Sequence, residues 1–189
     1  MLRFSCPNCQ NELFFNSFDC VNCGTGVSYS PWDSAFVARD PEKDCANRNQ
    51  HQVCNWRMDG DGPFCMACLA NQVIPDLNIP GNKEKWEHLE RSKRRLYYSC
   101  VRIGIDTSGV IFRFLASTPD EPAVTGHCSG TLTVNLGEAD PVTREQNRQS
   151  LNEKFRTLIG HFRHEFGHYY WERRIASDQQ MLERFRQVF

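Results

Sequence analysis

His164, Glu165 and His168 form an H-E-x-x-H array inside Leu158 to Glu172, a stretch whose apolar residues recur at helical spacing. Residues four apart on a helix share a face, so both imidazoles can grip one metal ion. Glu165 lies one step round the helix, within reach of a water polarised by that ion. Two nitrogen ligands beside a carboxylate base are the parts that zinc-dependent amide hydrolysis uses. Zinc lowers the pKa of its water toward roughly 7, and Glu165 would take the proton and pass it to the leaving amine. Leu158, Ile159, Phe162, Phe166 and Tyr169 give the helix an apolar flank, which predicts burial rather than a solvated rod. His161 stands one turn before His164, either as an outer group or as an ordinary half-buried histidine. Gly167 is a poor helix former, about 1 kcal/mol worse than alanine. Its smallness would let a strand or a substrate come close.

A catalytic zinc takes three protein ligands and keeps one position open. The third histidine of the longer H-E-x-x-H motifs is replaced here by Arg174. The acids that follow are Glu172, Asp178 and Glu183. Glu172 lies two turns past His164, ~12 Å along the axis, far for a shared ion. Glu183 is better placed on a following helical piece, but among Arg184 and Arg186 it suits a surface pair. The expectation is a third ligand beyond residue 189, a domain incomplete at its C-terminus, and a site that holds zinc weakly or stays empty in this chain. His127, Tyr169 and Tyr170 are unranked candidates for an oxyanion stabiliser.

Eight of the ten cysteines fall into two groups. Cys6 and Cys9 form one C-x-x-C knuckle, and Cys20 and Cys23 form a second after ten intervening residues. That spacing is a zinc-ribbon pattern, with backbone N–H groups turned toward the thiolates. Gly24 suits the residue after a knuckle, where positive φ is often required. Cys45, Cys54, Cys65 and Cys68 make a less regular second set, with His51 as the alternative to Cys45 or Cys54. Cys100 and Cys128 are expected to be small buried apolar residues. Both four-cysteine sites are expected to be structural, because four thiolates close the coordination shell.

Residues 1–80 carry few aliphatic side chains and many Asn, Asp, Gly and Pro, so metal should replace a large core as the source of stability. They hold five Arg or Lys and nine Asp or Glu. Two tetrathiolate zinc ions would take the module to a formal charge of roughly −8. A phosphate backbone needs positive partners, so nucleic-acid binding is disfavoured, and contact with a protein partner or plain support is favoured. The whole chain has a formal net charge of −1 and no run of roughly 18 apolar residues, which argues against membrane association. Met1 to Ser5 runs straight into the first knuckle without an apolar leader. That disfavours a disulfide-stapled secreted module.

The elements that must position these groups can be read in outline. A strand or two are expected around Phe14 and Tyr29, then a linker punctuated by Pro75, Pro80 and Gly81. Asn82 can cap a helix from Lys83 to about Ile103, with Trp86, Leu89, Leu96, Tyr97, Cys100 and Val101 as its apolar stripe. Arg91 to Arg95 is strongly basic and is read as a solvated face. Val110 to Leu115 and Thr131 to Leu136 read as strands, and Asp106 to Gly109 as a turn. A helix follows from Thr143 to about Glu153, then the motif helix, a break near Ser177 and Asp178, and a last helical piece. The predicted fold is α+β. A double zinc-ribbon module over 1–80 with two four-cysteine sites precedes a zincin-like domain over 82–189. In such a domain an edge strand above the metal can pair with an extended substrate. Thr131 to Leu136 is the candidate, with a core strand as the alternative.

These residues together resemble a bacterial family of zinc-binding metallopeptidases with an N-terminal zinc ribbon. The likeness spans nearly the whole chain. It is carried by the two knuckles, Cys54-Asn55-Trp56, Phe64-Cys65-Met66-Ala67-Cys68 and Ile74-Pro75-Asp76-Leu77. Further carriers are Lys93-Arg94-Arg95-Leu96, Thr125-Gly126-His127, Asn135 to Asp140, Gly160 to Glu165 and Gly167 to Trp171. The resemblance implies a cytosolic bacterial peptidase acting on a peptide or protein, without naming the substrate. Members of the family run on past the point where this chain stops. The competing reading is a non-catalytic interaction module whose ribbons dock a partner and whose H-E-x-x-H site is vestigial or structural.

Overall fold

A computed structural model of the chain describes residues 3–58, 60–118, 120–150, 152, 154 and 156–189. Met1, Leu2 and Glu153, the last being the expected end of a helix, lie outside the described residues. The chain forms two compact units. One comprises Met1–Leu69 with Tyr97–Asp106, and the other Ala70–Leu96 with Thr107–Phe189.

In the first unit, β1 (Phe4–Ser5) pairs antiparallel with β2 (Glu12–Leu13), and β3 (Val27–Ser30) with β4 (Ala35–Ala38). Two short helices follow, α1 (Ala46–His51) and α2 (Met66–Leu69). The scarcity of aliphatic residues does not leave this unit without a core. Phe4, Phe15, Tyr29, Phe36 and Trp56 are buried, and Phe4 meets Tyr29 at 5.7 Å and Phe36 at 5.4 Å, edge to face. Edge-to-face rings interact favourably beyond their buried area. Asp44, also buried, accepts from Arg39 at 2.6 Å and from the Ser28 hydroxyl at 2.6 Å, and pairs with Arg48 at 3.3 Å.

The second unit is built on a four-stranded mixed sheet of order β5-β6-β8-β7. Its strands are β5 (Asn71–Val73), β6 (Ile111–Leu115), β7 (Gly126–Cys128) and β8 (Thr131–Asn135). β5, β6 and β8 run parallel, and β7 returns antiparallel to β8. Thr131 to Leu136 is therefore not an edge. The two-residue turn Ser129–Gly130, with φ of 46° and 83°, folds β7 across it, as the tight hairpin turns with two positive φ values do. The exposed edge on that side is β7, which carries His127.

Phe112, Phe114, Leu132 and Val134 are the buried alternates of β6 and β8. α3 (Asn82–Ile103) begins at Asn82 itself and buries Trp86, Leu89, Leu96, Tyr97 and Cys100 as its periodicity requires. The basic run is not one solvated face. Arg95 is exposed and Arg91 pairs with Glu87 at 2.8 Å, but Lys93 and Arg94 are buried. Position 93 falls on the stripe of Trp86 and Leu89. Its ammonium is matched by buried Glu90 at 2.9 Å, bonded to the Asn71 carbonyl oxygen, and placed 5.5 and 5.4 Å from the ring centres of Phe112 and Phe114. Cys100 is buried as expected, whereas Cys128 at the end of β7 is exposed.

The remaining elements are α4 (Pro141–Ser150), α5 (Leu158–Tyr170), a single π-helical turn over Trp171–Ile175, and α6 (Gln179–Val188). Phe162 of α5 packs on Phe112 at 5.9 Å and Phe114 at 6.5 Å, seating the motif helix on the sheet. Among the described residues no helix is long and apolar enough to cross a membrane.

Candidate metal centres and candidate active site

The sulfurs of Cys6, Cys9, Cys20 and Cys23 lie within 4.8 Å of one another, and so do those of Cys45, Cys54, Cys65 and Cys68. Cys6 and Cys23 approach to 3.7 Å, Cys9 and Cys20 to 3.6 Å, and Cys54 and Cys65 to 3.7 Å. Tetrahedral Zn–S bonds of about 2.3 Å imply sulfur separations of about 3.8 Å. Both sets therefore have the size of a zinc cage. His51 stands outside the second set, which is made of four cysteines.

Local sequence explains the first cage. The Gln10 amide donates to the Cys6 carbonyl and the Gly24 amide to the Cys20 carbonyl, closing each knuckle. Gln10 and Gly24 occupy equivalent positions with φ of 62° and 70°. Only the glycine announces that conformation in sequence. The third residue of each knuckle serves the other one. Asn8 Nδ2 donates to Cys23 Sγ at 3.6 Å, and Asn22 Nδ2 to Cys9 Sγ at 3.5 Å. The Thr25 hydroxyl, its amide and Asn8 hold the Cys23 thiol down at about 5, and Asn22 draws Cys9 below its ordinary value. These contacts favour the thiolate, which is the form that binds metal. Burial instead pushes Cys65 well up, so its ionisation depends on the charge of the ion it meets.

On α5 the sequence pattern becomes a two-sided helix. Phe162, Glu165, Phe166 and Tyr169 are buried, while His164, Gly167 and His168 face outward. His164 and His168 bring their Nε2 atoms to 3.1 Å with the rings edge to face. Two Zn–N bonds of about 2.0–2.1 Å in tetrahedral array call for about 3.3 Å, so the pair fits one ion. A Cβ at Gly167 would meet nothing within 4 Å, which leaves the space beside the pair open.

The start of α5 is fixed by a cap and an ion pair. Thr157 Oγ accepts from the Gly160 amide at 3.1 Å. Arg156 pairs with buried Glu138 at 2.8 Å, and His161 Nδ1 lies 3.6 Å from the same carboxylate. His161 is thus a partner of Glu138. Glu138 itself was singled out only within a run of resemblance, because nothing in its spacing announces an anchor 18 residues away.

His127 brings the edge strand to the site, its ring stacked 6.5 Å from that of His168. Its Nε2 accepts from the Gly130 amide at 3.1 Å and lies 3.8 Å from a Glu172 oxygen. Glu172 thus turns toward His127. Asp178 caps α6, and Glu183 accepts from Gln179 at 2.8 Å. Among the described residues the groups of three or more metal-ligating side chains are the two cysteine sets, so none of these acids gathers with the histidine pair. Of the oxyanion candidates, Tyr169 is buried with its hydroxyl donating to the Ser108 carbonyl, and that role is closed to it. His127 and Tyr170 remain.

Comparison with known proteins matches this division. Residues 3–79 fit a zinc-ribbon domain model, and residues 82–189 fit the model of a family described as "Putative zinc-binding metallo-peptidase". Uncharacterized proteins of Mycobacterium bovis and of two Mycobacterium tuberculosis strains are each 38% identical over 203 residues. The match takes in 100% of this chain, which spans 59% of the length of those curated relatives. No solved structure matches. With more than half of its residues inside the second model, the chain belongs to this zinc-binding metallo-peptidase family and carries an N-terminal zinc ribbon.

Proposed function

We propose that the protein is a zinc-dependent peptidase, cytoplasmic and acting on peptide or protein substrates, with the metal on the outward histidine pair of α5 and the base, Glu165, one step round on the buried side of the same helix. The observation that carries this reading is the 3.1 Å approach of His164 and His168 with Glu165 between them in sequence. His164 and His168 would hold the ion together with a third ligand that the described residues do not supply. When bound, zinc supplies Lewis acidity, polarising a water and a carbonyl. Glu165 takes a proton from the attacking water and returns it to the leaving amine. Phe162 and the Thr157 cap keep the helix, and so the three side chains, in register with the sheet. His127 on the edge strand and Tyr170 are the remaining candidates for steadying the developing oxyanion.

The two tetrathiolate sites are structural in this reading. The acidic ribbon unit disfavours nucleic acid and leaves support or contact with a protein partner. A second reading rests on the absence of a third ligand beside the histidine pair among the described residues. In it the α5 site is vestigial and the ribbons act as an interaction module. One experiment separates them: Glu165→Gln against the parent on a peptide library, with zinc measured in both. The first reading expects equal zinc and lost cleavage. The comparison belongs in a C-terminally extended protein: there, undiminished cleavage by the Glu165→Gln variant excludes Glu165 as the base, and a zinc-loaded parent that cleaves nothing favours the interaction module.

A further inference from the structure

An open cleft of about 330 Å³ lies beside α5, lined by Gly109, Ser129, Gly130, Tyr169, Glu172 and Arg173. Two of its walls are turns that the absence of a Cβ keeps thin. Gly109 has φ of 80°, and a Cβ there would lie 2.6 Å from Arg173 Nη1. Gly130, with φ of 83°, closes the β7–β8 hairpin. The third wall is the π-helical turn, whose wider winding is closed by the Ala176 amide bonding to the Trp171 carbonyl at 2.8 Å. Single π turns are concentrated at functional sites.

The Arg173 guanidinium is held rather than loose. It packs over the Tyr169 ring at 5.9 Å and against Gly109, and Tyr169 is itself tied to the Ser108 carbonyl. Among the described residues no carboxylate lies within 4.0 Å of it. Glu172 is occupied elsewhere in the cleft, facing His127 at 3.8 Å. The His127 Nε2 accepts from the Gly130 amide, and a carboxylate can take several donors, so Glu172 keeps capacity to accept a further one. The cleft therefore offers a planar cationic fork at one end and an acceptor at the other. An arginine fork matches a carboxylate bidentately. Arg173 stands on the π-helical turn that directly follows the motif helix.

We propose that this cleft is a substrate subsite in which Arg173 binds a carboxylate of the bound peptide, while Glu172 accepts from a main-chain N–H of the same segment. The assignment rests on the peptidase reading for its orientation. The carboxylate comes from a free peptide C-terminus or from an Asp or Glu side chain.

Binding, rather than turnover, tests it. The full chain bearing Glu165→Gln, loaded with zinc, is titrated with two pairs of pentapeptides. One pair differs in a free against an amidated C-terminus, the other in an internal Asp against Asn. The acidic member of one pair should bind roughly tenfold tighter or more, as a charge-assisted hydrogen bond implies, and the pair that responds names the source. Arg173→Gln should erase that preference, and Arg173→Lys should retain part of it, with zinc content unchanged in both. Absence of peptide binding, equal affinities within both pairs, or a preference that survives Arg173→Gln overturns the subsite. Cleavage is measured separately on the parent chain, so a retained preference without cleavage counts against the peptidase reading and leaves the subsite standing.

Discussion

His164 and His168, one helical turn apart, present their Nε2 atoms 3.1 Å from each other on the outward face of a helix whose inward face is packed on a sheet. Neighbouring imidazoles at that separation are shaped for a shared partner. Residue spacing alone brings two side chains to one face. Seating Phe162 on Phe112 and Phe114 turns that face outward.

His164→Ala should therefore remove one metal site and leave the other two. A grip reduced to a single imidazole does not hold zinc against water at neutral pH. Zinc per chain, read by elemental analysis of a C-terminally extended protein that supplies the third ligand, should fall by about one equivalent relative to the extended parent. An unchanged zinc content would place the ion elsewhere.

The crossed asparagines of the first ribbon give a graded test. Cys9→Ala removes a ligand and should release that zinc and unfold the ribbon, with the helices around the H-E-x-x-H motif surviving. Asn8→Ala and Asn22→Ala keep all four thiolates and remove only a donor to Cys23 and to Cys9. Loss of an outer donor typically weakens metal affinity by about 10–100-fold. Competition with a chromophoric chelator measures this. Affinities equal to the parent in both variants would make the asparagines mere turn residues.

Which parts were legible in the sequence follows from the range of the forces involved. The knuckles, the two-faced motif helix, the long α3 and the strands β6 and β8 are local patterns, and each appears near its expected bounds. The edge of the sheet was not legible. The Ser129–Gly130 turn decides it by folding three residues of β7 over β8, and a three-residue strand carries no periodic signal. Nor was the burial of Lys93 and Arg94, because a basic run looks solvated until its carboxylate partner is known. Glu90 lies one turn away on the same stripe and could have signalled that partner. The core of the ribbon unit is invisible to a count of aliphatic residues because Phe4, Phe15, Tyr29, Phe36 and Trp56 supply it.

Lys93 makes a sharp stability prediction. Lys93→Met removes the cation from buried Glu90, and breaking a buried pair from one side costs about 3–5 kcal/mol. Adding Glu90→Gln removes the orphaned charge, while glutamine still accepts from Asn71 and Trp86, which now bond to Glu90 Oε1 at 2.7 and 3.1 Å. The double variant should recover most of the loss in a denaturant melt. A double variant as unstable as Lys93→Met alone would show that the ammonium acts through its bond to Asn71 and its charge over the Phe112 and Phe114 rings rather than through Glu90.

The first turn of the motif helix provides the last test. Gly160 looks like a defect there, since alanine is favoured over glycine by about 1 kcal/mol inside a helix. Yet a Cβ at Gly160 would lie 2.8 Å from Thr157 Oγ1, the atom that caps the helix by accepting from the Gly160 amide. Losing such a cap costs about 1 kcal/mol, and the contact adds strain. Gly160→Ala should therefore destabilise the parent, or at best leave it unchanged, despite its better propensity. In a Thr157→Ala background the hydroxyl is gone, the cap is already lost and the clash disappears, so the same Gly160→Ala change should stabilise. Thermal melts of the four proteins in this cycle read the reversal of sign. If Gly160→Ala stabilised both backgrounds equally, the glycine would be unrelated to the cap, and the register of His164, Glu165 and His168 would have to be set by Phe162 and the Arg156–Glu138 pair alone.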